Sequence, residues 1–307
     1  MKALITGSAG FVGRYLQAEL ESHGFEVTGL DLQAGPGTLA ADLMNKEETL
    51  DAVRAVMPEV IFHLAGQADV GRSWRMPQQT VALNEIAAIN LLEAVRTLCP
   101  SCAVVLVGSS DQYGNLREAG VSVSEETPTR PMNPYAISKD AQEKLGKAYA
   151  AAYGLRVMMT RSFNHGGAGQ RTGFMIPDFA FGIVRVERGE AEAVSVGNLE
   201  SKRDFTHVKD IARAYRLIAE RGTAGEVYNV GSGTAYSARE VLDRLIALAE
   251  CPVQVCPDPA RMRPSDTPVV CCNHGKLTRD TGWEPELGLD EILKDTLEYY
   301  RSVRNPG

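Results

Sequence analysis

The stretch Lys2-Ala3-Leu4-Ile5-Thr6-Gly7-Ser8-Ala9-Gly10-Phe11-Val12-Gly13 decides how this chain folds. Residues 2–5 read as a buried strand and residues 12–22 as a helix, with Gly7, Gly10 and Gly13 in and around the turn. Glycines there allow a tight turn and let backbone N–H groups approach a ligand at a helix N-terminus, where the helix dipole favours an anion. Alone, the spacing also fits an ordinary strand-to-helix turn. The rest of the chain gives it meaning.

Working outward, the pattern alternates short apolar runs with longer stretches of 3.6-residue period. Strands are predicted at 26–30, 60–64, 103–107 and 156–160, and helices at 47–56, 80–98 and 135–153. Strands that are apolar throughout and separated by helices form a parallel sheet covered on both faces. The fold class is therefore α/β, a doubly wound parallel sheet of the Rossmann type. Beyond Arg161 the texture changes to loops rich in Gly, Pro and Arg around shorter elements. A helix at 208–220 and a strand at 226–230 return to the first sheet. The expected division is 1–162 and 206–232 for a dinucleotide-binding domain, with 163–205 and 233–307 forming a smaller, discontinuous α/β substrate domain.

Composition bounds the partners. The 307 residues are 44% hydrophobic and 23% charged, the mixture of an ordinary globular chain. A net charge of -7 argues against a nucleic-acid binder, though a small basic cluster can still serve an anionic ligand. No apolar run reaches the ~18 residues of a membrane span, and the first residues lack the apolar stretch of a signal peptide. Six cysteines in this context read as reduced thiols, including the Cys99–Cys102 pair, and point to the cytoplasm. Five histidines without spaced partners argue against a metal.

The strand at 26–30 ends at Asp31, 24 residues after Gly7. A carboxylate at that place accepts hydrogen bonds from a ribose 2′-hydroxyl and repels a 2′-phosphate, so NAD is favoured over NADP. Tyr135 and Lys139, four apart on a predicted helix, share one face. A lysine ammonium close to a phenol is expected to draw its pKa down from ~10 toward neutrality, preparing it to pass a proton to or from a carbinol oxygen. Pro134 marks the helix start. Ser109 follows the buried strand at 103–107, where a hydroxyl can hydrogen-bond a reacting carbonyl.

The G-x-x-G-x-x-G turn followed by Tyr135-Ala136-Ile137-Ser138-Lys139 resembles the extended short-chain dehydrogenase/reductase family. The likeness extends to Asp42-Leu43 and to His63-Leu64-Ala65-Gly66. It implies that Gly7, Gly10, Phe11, Val12, Gly13, Asp31, Leu32, Asp42, Leu43, Leu64, Ala65 and Gly66 bind the cofactor, and that Ser109, Tyr135 and Lys139 are catalytic. Asp111 takes the place where sugar-nucleotide 4,6-dehydratases carry Glu. It is one methylene shorter, which disfavours a dehydratase. Ser162-Phe163-Asn164-His165, Arg203-Asp204-Phe205 and Arg263-Pro264-Ser265-Asp266 look like the GDP-sugar enzymes within that family. The resemblance implies that Ser73 contacts the hexose, that Asn164, Asn198, Arg203 and Arg263 contact the nucleotide diphosphate and its surroundings, and that Asp266 takes the ribose. It also implies a homodimer. The expected activity is reduction of the 4-keto group of a GDP-4-keto-6-deoxyhexose with Tyr135 as proton donor. An NAD-retaining 4,6-dehydratase or 4-epimerase is the alternative. Trp74 and Trp283 read as packing residues.

Overall fold

The computed structural model describes residues 1–115, 122–259 and 269–303. The first half runs β1 (Lys2–Thr6), α1 (Phe11–Ser22), β2 (Glu26–Asp31), β3 (Thr38–Ala40), α2 (Lys46–Val56), β4 (Val60–His63), α3 (Val70–Arg75), α4 (Pro77–Leu98), β5 (Ala103–Ser109), β6 (Ser122–Val123), α5 (Pro134–Tyr153) and β7 (Val157–Ser162). The second half runs β8 (Asn164–Gly166), α6 (Met175–Glu187), β9 (Ala193–Val196), β10 (Lys202–His207), α7 (Val208–Arg221), β11 (Val227–Val230), β12 (Ala235–Ser237), α8 (Ala238–Ala247), β13 (Gln254–Pro257), β14 (Val269–Cys272), α9 (Gly275–Thr281) and α10 (Leu289–Ser302).

Seven strands form a parallel sheet in the order β11-β7-β5-β4-β1-β2-β3. From β1 the chain moves outward through β2 and β3, then returns to β4 and moves outward through β5, β7 and β11. The reversal between β1 and β4 opens a crevice beyond the carboxyl ends of the strands, the place where such sheets hold ligands. The strands are apolar on both sides because both sides are covered. Leu16, Leu20, Ile211 and Tyr215 from α1 and α7 pack on one face. Val53, Leu91 and Val95 from α2 and α4 pack on the other.

Local signals set the elements that carry the reactive side chains. Asn133 caps α5 by accepting from the Ala136 N–H, Pro134 fills its first turn, and Gly154 ends it at φ 68. β5 and β7 each run a residue or two past their expected ends, paired as far as Ser109 with Ser162. A second sheet, β12-β10-β14-β6 with β8 also on β10, forms the other lobe. Its core is Ile176, Phe179, Val194, Val241, Ile292 and Leu297 with their neighbours.

Two segments cross the boundaries expected from sequence. β6 pairs with β14 in the second sheet although it lies within 1–162. Leu277 and Trp283, within 233–307, pack into the core of the first sheet. Trp283 is fully buried, with its indole N–H donating to the Asp210 carbonyl at 3.0 Å. Trp74, read as a packing residue, is 63% exposed instead. Ser73 takes the inward face of the short helix α3, and Trp74, the next residue round the helix, points outward.

Trp283→Ala removes a large, wholly buried side chain that ties the C-terminal segment to α7. A loss of about 3–5 kcal/mol in unfolding free energy is expected from denaturant titration. A loss below about 1 kcal/mol would show that the segment is not part of the first core.

Candidate active site

A cavity of about 960 Å³ lies between the two lobes at the carboxyl ends of the large sheet. The glycine turn forms one wall. Gly7 has φ +71, and a Cβ there would come within 2.8 Å of the Ala65 nitrogen, so no other residue fits without strain. A Cβ at Gly13 would sit 2.6 Å from the carbonyl oxygens of Gly7 and Ser8, so glycine lets α1 press against the turn. Gly10, with an ordinary φ of -68, is the N-cap of α1 and places no side chain over the helix end. The first amides of α1 therefore face the cavity, a cradle suited to a diphosphate.

Asp31 is fixed at the rim of this turn. Its Oδ2 accepts from the Ala9 N–H at 3.0 Å and its Oδ1 from the Leu32 N–H at 2.8 Å. Leu32 is 71% exposed beside it and Asp42 lies on the surface, where an adenosine end could rest. Leu43 is 5% exposed, its side chain packed in the core under α2 and α4. Phe11, Val12, Leu64 and Gly66 line the cavity, while Ala65 donates its N–H to Thr6 Oγ1 at the back of it. His63 is hydrogen-bonded to the same Thr6 hydroxyl. Burial, helped by the Lys139 charge, pushes its imidazole down to about 3 and keeps it neutral.

Ser109, Asp111, Tyr135 and Lys139 all line the cavity, so the structure brings the four together. Ser109 ends β5 and caps a short 3-10 turn, Ser110–Tyr113, accepting from the Asp111 N–H at 3.2 Å. Gln112 accepts from the Ser109 N–H at 2.9 Å in return. This capping box was legible as Ser-x-x-Gln in the sequence. Lys139 donates to the Val107 carbonyl at 2.8 Å and to Gln142 Oε1 at 3.0 Å.

The electrostatics correct one expectation. The Tyr135 phenol is pushed up, not down, by burial and then by the Asp111 carboxylate, with a hydrogen bond from Ser109 pulling weakly the other way. Lys139 does not offset this, because burial lowers its own ammonium to about 8 and its protons are directed at Val107 and Gln142. The phenol is therefore held protonated at neutral pH.

Sequence reasoning missed what stands behind the turn. Glu143 on α5 accepts from Arg161 Nε and Nη2, both at 2.8 Å, from Gln112 at 2.8 Å and from Lys147 at 2.9 Å. Burial works to raise this carboxyl, but Arg161 and Lys147 outweigh it and hold it below the usual range. No local motif marks the set, since its members are 18 or more residues apart in the chain apart from Lys147.

In the other lobe Asn164 on β8, Asn198 in the connection between β9 and β10, and Arg203 on β10 line the same cavity. Asn198 Oδ1 accepts from the Glu200 N–H, and Arg203 donates to the Lys202 carbonyl. Arg263 and Asp266 lie outside the described residues. Ser73 is not brought to the cavity: it is wholly buried, and its hydroxyl donates to the Val70 carbonyl at 2.7 Å. His165 lines the cavity stacked on Phe11, donating from Nδ1 to the Phe163 carbonyl. Arg14 and Tyr15 of α1 reach the glycine-rich loop at the Gly169 and Ala168 carbonyls, and so join the lobes. Among the described residues no group of three or more side chains could hold a metal, and no helix is long and apolar enough to cross a membrane.

Comparison with known proteins shows the family. The family model for GDP-mannose 4,6 dehydratase matches residues 4–296. The GDP-6-deoxy-D-mannose reductase of Pseudomonas aeruginosa is 35% identical over 98% of this chain and 97% of its own length. The UDP-glucose 4-epimerase of Corynebacterium glutamicum is 30% identical over 96% of this chain and 94% of its own. The solved structure of RMD from Pseudomonas aeruginosa complexed with NADPH superposes with a TM-score of 0.90, at 33% identity, covering 98% of this chain and 99% of that one. The Thermus thermophilus UDP-glucose 4-epimerase complex with NAD gives 0.88 at 29% identity, covering 98% and 99%.

Burial of Lys139 has a pH signature. Below pH 8 both folded and unfolded chains hold the proton, and the full cost of the buried charge is present. Between about 8 and its ordinary 10.5 the folded chain has released the proton while the unfolded chain keeps it, so stability rises with pH across that window. Relative to Lys139→Met, the parent chain should gain up to about 3 kcal/mol of unfolding free energy over that range, at about 1.4 kcal/mol per pH unit. Parallel stability curves for the two proteins from pH 7 to 10 would contradict it.

Proposed function

This chain belongs to the GDP-mannose 4,6-dehydratase family of extended short-chain dehydrogenase/reductases, and on that premise we propose that it reduces the 4-keto group of a GDP-4-keto-6-deoxyhexose. A nicotinamide dinucleotide is the cofactor, and the glycine cradle, the open N-terminus of α1 and Asp31 fit it. When bound, its dihydronicotinamide supplies the hydride.

The remaining work falls to this chain's own side chains. Ser109 and Tyr135 hold the carbonyl oxygen, and Tyr135 gives its phenolic proton to that oxygen as the carbonyl becomes a carbinol. The observation that carries the reading is that Ser109, Tyr135 and Lys139 line one cavity with the glycine turn, and that Asp111 stands among them where the resemblance puts the Glu of a dehydratase. Lys139, one turn along α5 and lining the same cavity, supplies a cation to the site as the phenolate forms. Asn164, Asn198 and Arg203 hold the nucleotide diphosphate side of the substrate, and Arg263 and Asp266 complete that set. Residues 1–162 and 206–232 carry the cofactor, with the substrate mainly on 163–205 and 233–307. The enzyme acts as a cytoplasmic homodimer through α4 and α5, where Ile86, Ile137 and Tyr153 expose apolar surface.

The direct test follows the fall of reduced-cofactor absorbance with GDP-4-keto-6-deoxymannose. Turnover is expected, and Tyr135→Phe should lower kcat by about a hundredfold or more. No turnover with either NADH or NADPH overturns the reading. The likeness to NAD-bound epimerases supplies the alternative, in which about one NAD per chain is released on heating the purified protein.

Asp31 sets which dinucleotide is preferred. NADH is expected to be the better donor, and Asp31→Ser should raise the ratio of kcat/KM for NADPH over NADH by about tenfold, the equivalent of ~1.4 kcal/mol. An unchanged ratio would remove Asp31 from cofactor selection.

A further inference from the structure

Three hydroxyls with no part in the hydride and proton transfers meet at the floor of the same cavity. Ser162 closes β7, Thr160 lies on the same face of that strand, and Tyr215 stands in the middle of α7. Ser162 Oγ is 2.7 Å from Tyr215 Oη and 3.2 Å from Thr160 Oγ1. Thr160 and Tyr215 are wholly buried, and Ser162 is 7% exposed. Ser162 and Tyr215 both line the cavity. Ser162 is also the register partner of Ser109 across the parallel pair β5 and β7. Register partners project from the same face of a sheet about 4.8 Å apart. The serine that holds the carbonyl oxygen thus has a second serine one strand away.

The inner end of the cluster, Thr160, is sealed from solvent, and Ser162 and Tyr215 form its cavity side. The cluster carries no charge, because burial pushes the Tyr215 phenol up to about 12. Such a cluster is adjustable. With Tyr215 and Thr160 donating to it, Ser162 turns its own O–H into the cavity; with Ser162 donating to Tyr215, it offers a lone pair. A neutral group that can donate or accept matches an uncharged partner with the same freedom, not a phosphate.

We propose that Ser162, oriented by Tyr215 and Thr160, is a binding residue of the reaction site. It hydrogen-bonds an uncharged polar group lying beside the carbonyl oxygen held by Ser109. That group is an amide or a hydroxyl, and the two ligands supply one each: the carboxamide of the nicotinamide ring and a hydroxyl of the hexose. The inference rests on the keto-reductase reading of the site and deepens it. Tyr215 is the residue that positions Ser162.

Equilibrium binding by calorimetry tests this without requiring turnover. The probes are NADH, its reduced 3-acetylpyridine analogue, GDP and GDP-mannose, with the parent chain, Ser162→Ala, Ser162→Thr and Tyr215→Phe. Loss of one hydrogen bond predicts binding about 3- to 10-fold weaker for Ser162→Ala. If the partner is the carboxamide, NADH weakens and its advantage over the acetylpyridine analogue shrinks, while GDP-mannose is unchanged. If the partner is the hexose, GDP-mannose weakens and GDP does not. Tyr215→Phe should shift the same ligand in the same direction by a smaller factor, and Ser162→Thr should restore binding. Should Ser162→Ala fail to fold, Tyr215→Phe decides alone. NADH and GDP-mannose both within twofold of the parent, or GDP weakened as much as GDP-mannose, overturns the proposal. A chain that binds both probes but reduces no keto sugar would overturn the proposed reaction and leave Ser162 tested.

Discussion

Glu143 is a buried carboxylate that accepts bonds from two nitrogens of Arg161, from Gln112 and from Lys147. The partners come from three separate pieces of the reaction centre. Arg161 sits on β7 next to Ser162, Gln112 braces the turn that carries Ser109 and Asp111, and Glu143 itself stands on α5 with Tyr135 and Lys139. The Arg161 guanidinium also lies 4.8 Å over the Tyr113 ring, whose hydroxyl continues the network to Asn229 on β11. A buried charge deprived of its partner is destabilising by about 3–5 kcal/mol, so these pieces are locked as one body. The relative placement of Ser109, Tyr135 and Ser162 follows from that lock.

On this rigid base the electrostatics run against a simple pairing of Tyr with Lys. Burial disfavours the charged form of both, raising the phenol and lowering the ammonium. Asp111 adds to the first effect. The outcome is a neutral acid beside a partly restrained cation, an arrangement suited to giving a proton to a ketone oxygen. The acidic balance of the whole chain has no bearing on this, because the local groups within the cavity set the field there.

How much of this was legible depended on the range of the interactions involved. The central strands of the large sheet, β1, β4, β5, β7 and β11, were readable because they are buried along almost their whole length, and the long helices because each carries its own period; the half-exposed three-residue β3 gave no such signal. The S-x-x-E capping box at Ser237 and the acidic first turn at Asp290 and Glu291 were equally local signals for α8 and α10. The strands of the second lobe are only two to six residues long and alternate weakly, so pairing with one another defines them and composition does not. Ser73 illustrates the limit of motif transfer. Its position in the sequence suits a sugar contact, yet α3 turns its hydroxyl onto Val70.

By itself the sequence determined the parallel sheet, the glycine turn with Asp31 at the next strand end, and the Ser109, Tyr135 and Lys139 set. Each rests on a period, a cap or a fixed spacing within a few tens of residues, which a linear chain records directly. Only the tertiary structure decided that Glu143 joins β7, α5 and the Ser109 turn, that burial pushes the Tyr135 phenol up where Lys139 was expected to draw it down, and that Ser162 is the register partner of Ser109 with Tyr215 against it. Those outcomes depend on burial and on contacts between distant segments. Their energies are set by the dielectric surroundings and register that folding creates, so no local pattern of residues can carry them.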